Sequence, residues 1–145
     1  MQISRIFFVP VTMLMATVVS LTGCSKGSMT VENATVKAPF AERAVSVGYV
    51  DITNTTKETR ALVSVNAPWA GVIQIHTHDN TDGVMRMRRL ENLPVPAGET
   101  VSMQPGGLHL MLFELTLPLP ASLPMNLCFD DQQCIAVEAQ LSAIK

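Results

Sequence analysis

An all-β, Greek-key sandwich or barrel is what the 145-residue sequence predicts, and three features predict it. Short runs rich in Val, Ile, Thr and Leu recur at 45–53, 61–65, 72–78, 84–88, 100–103, 108–115, 125–129 and 134–141. Turn chemistry separates them at Asn54-Thr55-Thr56-Lys57, Ala67-Pro68, Asn80-Thr81-Asp82-Gly83, Pro94 to Gly98 and Pro105-Gly106-Gly107. No stretch repeats with helical periodicity. Strands this short, punctuated this often, bury one face each and need a second sheet to cover it, which is the sandwich solution.

The chain holds one domain. It is 48% hydrophobic and 15% charged, a globular balance whose apolar excess lies at the N-terminus. There Arg5 precedes an apolar run from Ile6 to Leu21, broken by Pro10. The run is shorter than the 18 or more residues of a spanning helix, and a basic start before an apolar stretch is the order of an export signal. An ordinary signal peptidase needs small residues at −1 and −3, and Leu21 is not small. Leu21-Thr22-Gly23-Cys24 instead resembles a bacterial lipobox. That resemblance implies a signal peptide over 1–23 and a lipidated Cys24. Residues 24–30 then serve as a short polar tether, and 31–145 as the domain. A net charge of −2, with no basic run, leaves no electrostatic footprint for DNA or RNA.

Candidate chemistry is concentrated between His76 and Met111. His76, Met87, His109 and Met111 stand at the spacing H-x10-M-x21-H-x-M, two imidazoles and two thioethers without a cysteine. Thioether and imidazole suit soft Cu(I), whereas Mg, Ca and Mn prefer carboxylates and water. None of the four brings a charge, so the ion keeps its single positive charge and is held less tightly than by thiolates. That suits a carrier. A four-residue loop at Asn80 to Gly83 pairs 79 with 84 and therefore sets His76 opposite Met87. Strand alternation puts His78 on the face of His76, and Met85 on the face of Met87. His109 and Met111 share a face as well, leaving Leu108, Leu110 and Leu112 to the core. The expected metal set is thus His76, Met87, His109 and Met111, with His78 and Met85 as auxiliary candidates and His78 suited to transient Cu(II). A methionine in a strand is ordinarily core filler. That reading applies to Met103 and Met125 and competes with the auxiliary role at Met85, while the matched histidine offsets set Met87 and Met111 apart.

These four residues, with Gly83-Val84-Met85-Arg86-Met87-Arg88, Pro96-Ala97-Gly98-Glu99-Thr100, Pro105-Gly106-Gly107-Leu108-His109-Leu110-Met111-Leu112 and the upstream Gly48-Tyr49-Val50-Asp51-Ile52-Thr53-Asn54, resemble the periplasmic PCu(A)C copper chaperones over residues 31 to 140. The resemblance implies a cupredoxin-like fold and no enzymatic activity. It implies an acceptor too: the CuA subunit of cytochrome oxidase, reached directly or through a thiol-bearing assembly factor. Cys128 and Cys134 depart from that family, which has apolar or Thr residues there.

In an exported, oxidising compartment the two cysteines left after Cys24 favour a disulfide. Phe129-Asp130-Asp131-Gln132-Gln133 reads as a hairpin turn, and its odd length sets Cys128 opposite Cys134. The competing reading, a C-x5-C metal or redox pair, matches none of the tight spacings of zinc or thioredoxin chemistry. No G-x-S-x-G elbow, phosphate loop or paired acid marks a catalytic site. A blue-copper electron carrier needs a thiolate beside its histidines. Two other functions stay open at this stage: a copper-sequestering envelope lipoprotein, and an adhesion module with an accidental His/Met set. Ser25 after the lipidated cysteine resembles the signal for the outer membrane, and the domain would face the periplasm.

Overall fold

The computed structural model describes residues 27–39 and 43–143, which form ten strands and no helix. They are β1 (Met29–Lys37), β2 (Val45–Asn54), β3 (Arg60–Asn66), β4 (Ala70–Thr81), β5 (Val84–Leu90), β6 (Leu93–Val95), β7 (Thr100–Ser102), β8 (His109–Leu115), β9 (Leu123–Phe129) and β10 (Cys134–Ser142). The expected signal peptide and Cys24 lie outside the described residues.

One hydrogen-bonded path runs β5-β4-β8-β2-β1-β10-β9-β3-β6, with β7 on β2. It divides into two layers. β5, β4, β8, β2 and β1 make the first, and β10, β9, β3 and β6 the second. Every pairing is antiparallel except β1 with β10. β1 crosses between layers at a bulge: Met29 to Glu32 pair with β2, and beyond Asn33 (φ 53°) Thr35 and Val36 pair with both β2 and β10. A bulge bends its strand and adds twist, so one strand can serve both sheets.

Alternation then builds the core. Val50 and Ile52 of β2, Ile75 of β4 and Leu110 and Leu112 of β8 face inward. They meet Leu62 of β3, Val95 of β6, and Leu123, Met125, Leu127 and Phe129 of β9, all buried. Asn54 is buried but satisfied: its amide donates to the carbonyls of Glu58 and Val95, both at 2.8 Å, and its oxygen accepts from Thr56.

Two elements were not evident in the sequence. Met29 and Thr30, read as tether, are the first residues of β1, where Met29 is buried and pairs with Asn54. Leu93 and Val95 form the short β6 around an exposed Pro94, in a stretch read as turn. Met103 and Met125 are buried core residues, as their apolar settings suggested.

Candidate metal centre

The centre lies on the outer face of the first sheet, where β5, β4 and β8 run side by side. β4 turns into β5 through Asp82 (φ 55°) and Gly83 (φ 78°), a two-residue connection that pairs Thr81 with Val84. Positive φ at both central residues defines the I′ hairpin, for which Asp-Gly is a preferred pair. The four-residue loop expected from sequence is therefore corrected, and the ladder moves by two residues. Met87 stands opposite His78, Met85 opposite Asn80, and His76 opposite Arg89. Because two residues are one side-chain period, the shift leaves every expected face unchanged. What changes is proximity: Met87 is diagonal to His76.

On the other side of β4, His76 pairs with His109 and Gln74 with Met111, which is also paired to Val47 of β2. Pairing with β8 stops at His76. From Thr77 to Thr81, β4 has only β5 for a neighbour among the described residues, so the hairpin projects as a two-stranded ribbon. Such ribbons twist more than sheets do.

Three imidazoles gather at the base of the ribbon. The ring centroids of His76 and His109 are 5.9 Å apart, and those of His78 and His109 are 5.0 Å apart. His109 is only 3% exposed, whereas Met87 is 50% exposed. Hydrogen bonds orient the rings. His109 Nδ1–H donates to the Gly107 carbonyl at 2.9 Å, and His76 Nε2–H to Gln74 Oε1 at 3.0 Å. An oxygen acceptor needs a protonated nitrogen opposite it, so in the neutral form of each ring it is the other nitrogen that carries the lone pair. Those nitrogens, His109 Nε2 and His76 Nδ1, are buried without a hydrogen-bond partner among the described residues. Burial first, then the charges of His109 and Arg89, hold the His76 pKa below its usual 6.5 and keep the ring neutral. His78 Nδ1 makes a longer contact, 3.4 Å, to the same Gly107 carbonyl.

The structure thus brings His76, His78 and His109 together, with Met87 and Met111 on adjoining positions of one face. Met85 shares the face of Met87 farther along the ribbon and is 57% exposed, so it is no core filler. Gln74 and Gly107 were missed as orienting groups. Both stand two residues before a histidine they hold, a spacing that alternation could have flagged. No cluster of three or more His, Cys, Asp or Glu positioned to hold a metal occurs among the described residues.

Cys128 and Cys134 face each other across β9 and β10, with Cα atoms 4.0 Å apart and sulfurs bonded. They belong to the second sheet, so the core separates them from the His/Met face.

Residues 29–141 match the family model described as "Putative lipoprotein LpqE-like". The chain belongs to the LpqE-like family. A relative within reach of this LpqE-like chain is "Putative lipoprotein Lxx21020" of Leifsonia xyli subsp. xyli, 29% identical over 136 residues, covering 83% of this chain and 81% of that protein. Among solved structures, the LpqE-like domain resembles the copper-bound PCuAC domain from PmoF2, with a TM-score of 0.69 and 20% identity over 83% of this chain and 97% of that one. It also resembles Cu(I)-bound DR1885 from Deinococcus radiodurans, with a TM-score of 0.62 and 27% identity over 76% and 75% of the two chains. The cupredoxin-like, all-β fold expected from sequence is the fold of this LpqE-like chain.

Proposed function

We propose that this protein is a copper chaperone that binds one Cu(I) through His76, Met87, His109 and Met111 and passes it to an acceptor protein. One observation carries the reading: two imidazoles on facing strands each keep a buried nitrogen with no hydrogen-bond partner among the described residues, His76 Nδ1 and His109 Nε2. A buried lone pair without a donor is costly, and a bound cation removes the cost. The donor set fits the ion, because a soft monovalent metal takes imidazole and thioether and needs no counter-charge. The Cu(I) form of DR1885 supports the choice of metal and oxidation state.

The arrangement favours delivery over storage. His109 and His76 form the inner half of the site, while Met87 is half exposed on a ribbon that an acceptor can approach. A thiolate-bearing acceptor can displace the thioethers one at a time, keeping the metal coordinated throughout. The acceptor implied by the family resemblance is the CuA subunit of cytochrome oxidase or a thiol-bearing assembly factor. His78 serves as a spare imidazole that admits Cu(II) before reduction, and Met85 as an auxiliary thioether. Cys24 is acylated after removal of residues 1–23 and holds the domain on the periplasmic side of the cell envelope, at the outer membrane, in keeping with the lipoprotein names of its relatives.

Copper sequestration would use the same ligands. Mixing the Cu(I)-loaded protein with apo CuA domain and with a reduced dithiol assembly factor separates the two. A chaperone loses its copper to one of them within minutes, and a sequestering protein retains it against both.

A further inference from the structure

The β4–β5 ribbon and the start of the domain lie at the same end of the first sheet. Gly48, Leu110 and Ile75 form one row across β2, β8 and β4. From that row, six residues along β2 reach Asn54, the partner of Met29, and six residues along β4 in the same direction reach Thr81. At ~3.3 Å per residue both points stand about 20 Å above the row. The chain before Met29 is held as well. The Ser28 carbonyl accepts from Thr55 N–H at 3.0 Å, and the Gly27 Cα packs so closely on the Thr55 and Thr56 backbone that a Cβ would collide with it. Only Ser25 and Lys26 separate Gly27 from Cys24. Three Cα steps span at most about 11 Å.

The ribbon has two faces. Met85 and Met87 lie with His78 on the metal face, and Val84, Arg86 and Arg88 on the other, which extends past the cover of the second sheet and is exposed. Val84 is 52% exposed, and neither Arg86, Arg88 nor Arg89 forms an ion pair among the described residues. On this face Arg86 and Arg88 outnumber one acid, Asp79, which stands across the ladder from Arg86, whereas Arg89 lies on the metal face opposite His76.

We infer that the Val84/Arg86/Arg88 face of the ribbon rests on an anionic phospholipid surface, leaving the metal face turned away from the bilayer. An apolar residue flanked by arginines gains from both the interface and the surface potential of acidic lipids, and the short anchor supplies the proximity. The inference rests on the Cys24 acylation contained in the functional reading above. Charges on an exposed edge strand also discourage edge-to-edge pairing, but that role is indifferent to lipid.

The test uses the full-length acylated protein in vesicles of phosphatidylethanolamine and phosphatidylglycerol. A thiol-linked fluorophore is placed by Val84→Cys or by Val72→Cys, both exposed sites on β5 and β4 about 30 Å apart along the strand direction. A headgroup-borne quencher is expected to quench the probe at 84 several-fold more than the probe at 72, and Arg86→Glu with Arg88→Glu to abolish the difference. Equal quenching at the two sites, or no response to the charge reversal, overturns the inference. Mass spectrometry of the N-terminal peptide reads the anchor separately, and an unmodified Cys24 also overturns it. Copper titration of the same samples judges the metal reading independently of the quenching.

Discussion

His76 on β4 stands directly across from His109 on β8, with ring centroids 5.9 Å apart and with Gln74 and Gly107 holding the two rings by their opposite nitrogens. The pair therefore offers different atoms, Nδ1 from His76 and Nε2 from His109, to whatever lies between them. Met111 on β8 and Met87 on the ribbon share that face, and the proposed set takes one thioether from each. Ligands that differ in softness should respond differently to mutation.

Met87→Ala or Met111→Ala is expected to weaken Cu(I) binding about tenfold or more while leaving Cu(II) binding nearly unchanged. His76→Ala or His109→Ala is expected to weaken both, since imidazole serves either oxidation state and thioether favours the reduced one. Competition with Cu(I) and Cu(II) chelators measures this, and wild-type Cu(I) affinity in either Met variant rules that residue out.

In the proposed site Gln74 would act on the metal through His76, whose ring it orients. Gln74→Leu removes the acceptor that holds His76 Nε2–H and should lower Cu(I) affinity about 10-fold at unchanged stoichiometry, in the range for a lost orienting partner. Gln74→Glu, which keeps an acceptor oxygen, should restore most of the loss. Equal affinities in all three proteins would separate Gln74 from the site.

Acidification should release copper, because histidine binds metal only when neutral. Burial, His109 and Arg89 keep the folded His76 pKa below 6.5, so its proton competes with the metal only below that pH. The unfolded chain takes up that proton near pH 6.5, the folded protein at lower pH. Apo stability is thus full above about pH 6.5 and declines as pH falls through the window beneath it. Cu(I) affinity measured from pH 8 to pH 5 should be flat at first and then fall. A flat profile throughout would remove the imidazoles from the site.

The disulfide serves the scaffold. Bridging Cys128 and Cys134 closes a short loop, for which restriction of the unfolded chain contributes about 2 to 3 kcal/mol. Replacing both with Val should lower the melting temperature by about 10 °C for a domain of this size and leave copper stoichiometry and affinity intact. A folded double variant that has lost copper would transfer the pair from scaffold to function.

The faces of the strands were legible in the sequence; the positions along them were less so. Alternation alone put His76 with His78, Met85 with Met87 and His109 with Met111, and left Leu110 and Leu112 for the core. The hairpin register was misread because Asn80, Thr81, Asp82 and Gly83 all favour turns, and only the backbone reveals that Asp82 and Gly83 alone make the connection. β1 was missed because Met29 and Thr30 read as the end of the tether and residues 31–37 show no clean apolar alternation, whereas burial of Met29, Ala34 and Val36 makes the segment a strand. The adjacency of β4 and β8 lies beyond local sequence altogether. More than 30 residues separate His76 from His109, and packing of Ile73 and Ile75 of β4 with Leu110 and Leu112 of β8 in the core brings them together.

The central claim is that two imidazoles and two thioethers hold a single Cu(I), and X-ray absorption at the copper edge of the Cu(I)-loaded protein tests it most directly. The account predicts a reduced edge and a mixed first shell of two nitrogens and two sulfurs, with the sulfur scattering lost in the Met87→Ala/Met111→Ala double variant. A first shell of nitrogen and oxygen alone, or sulfur scattering that survives that double substitution, would contradict it.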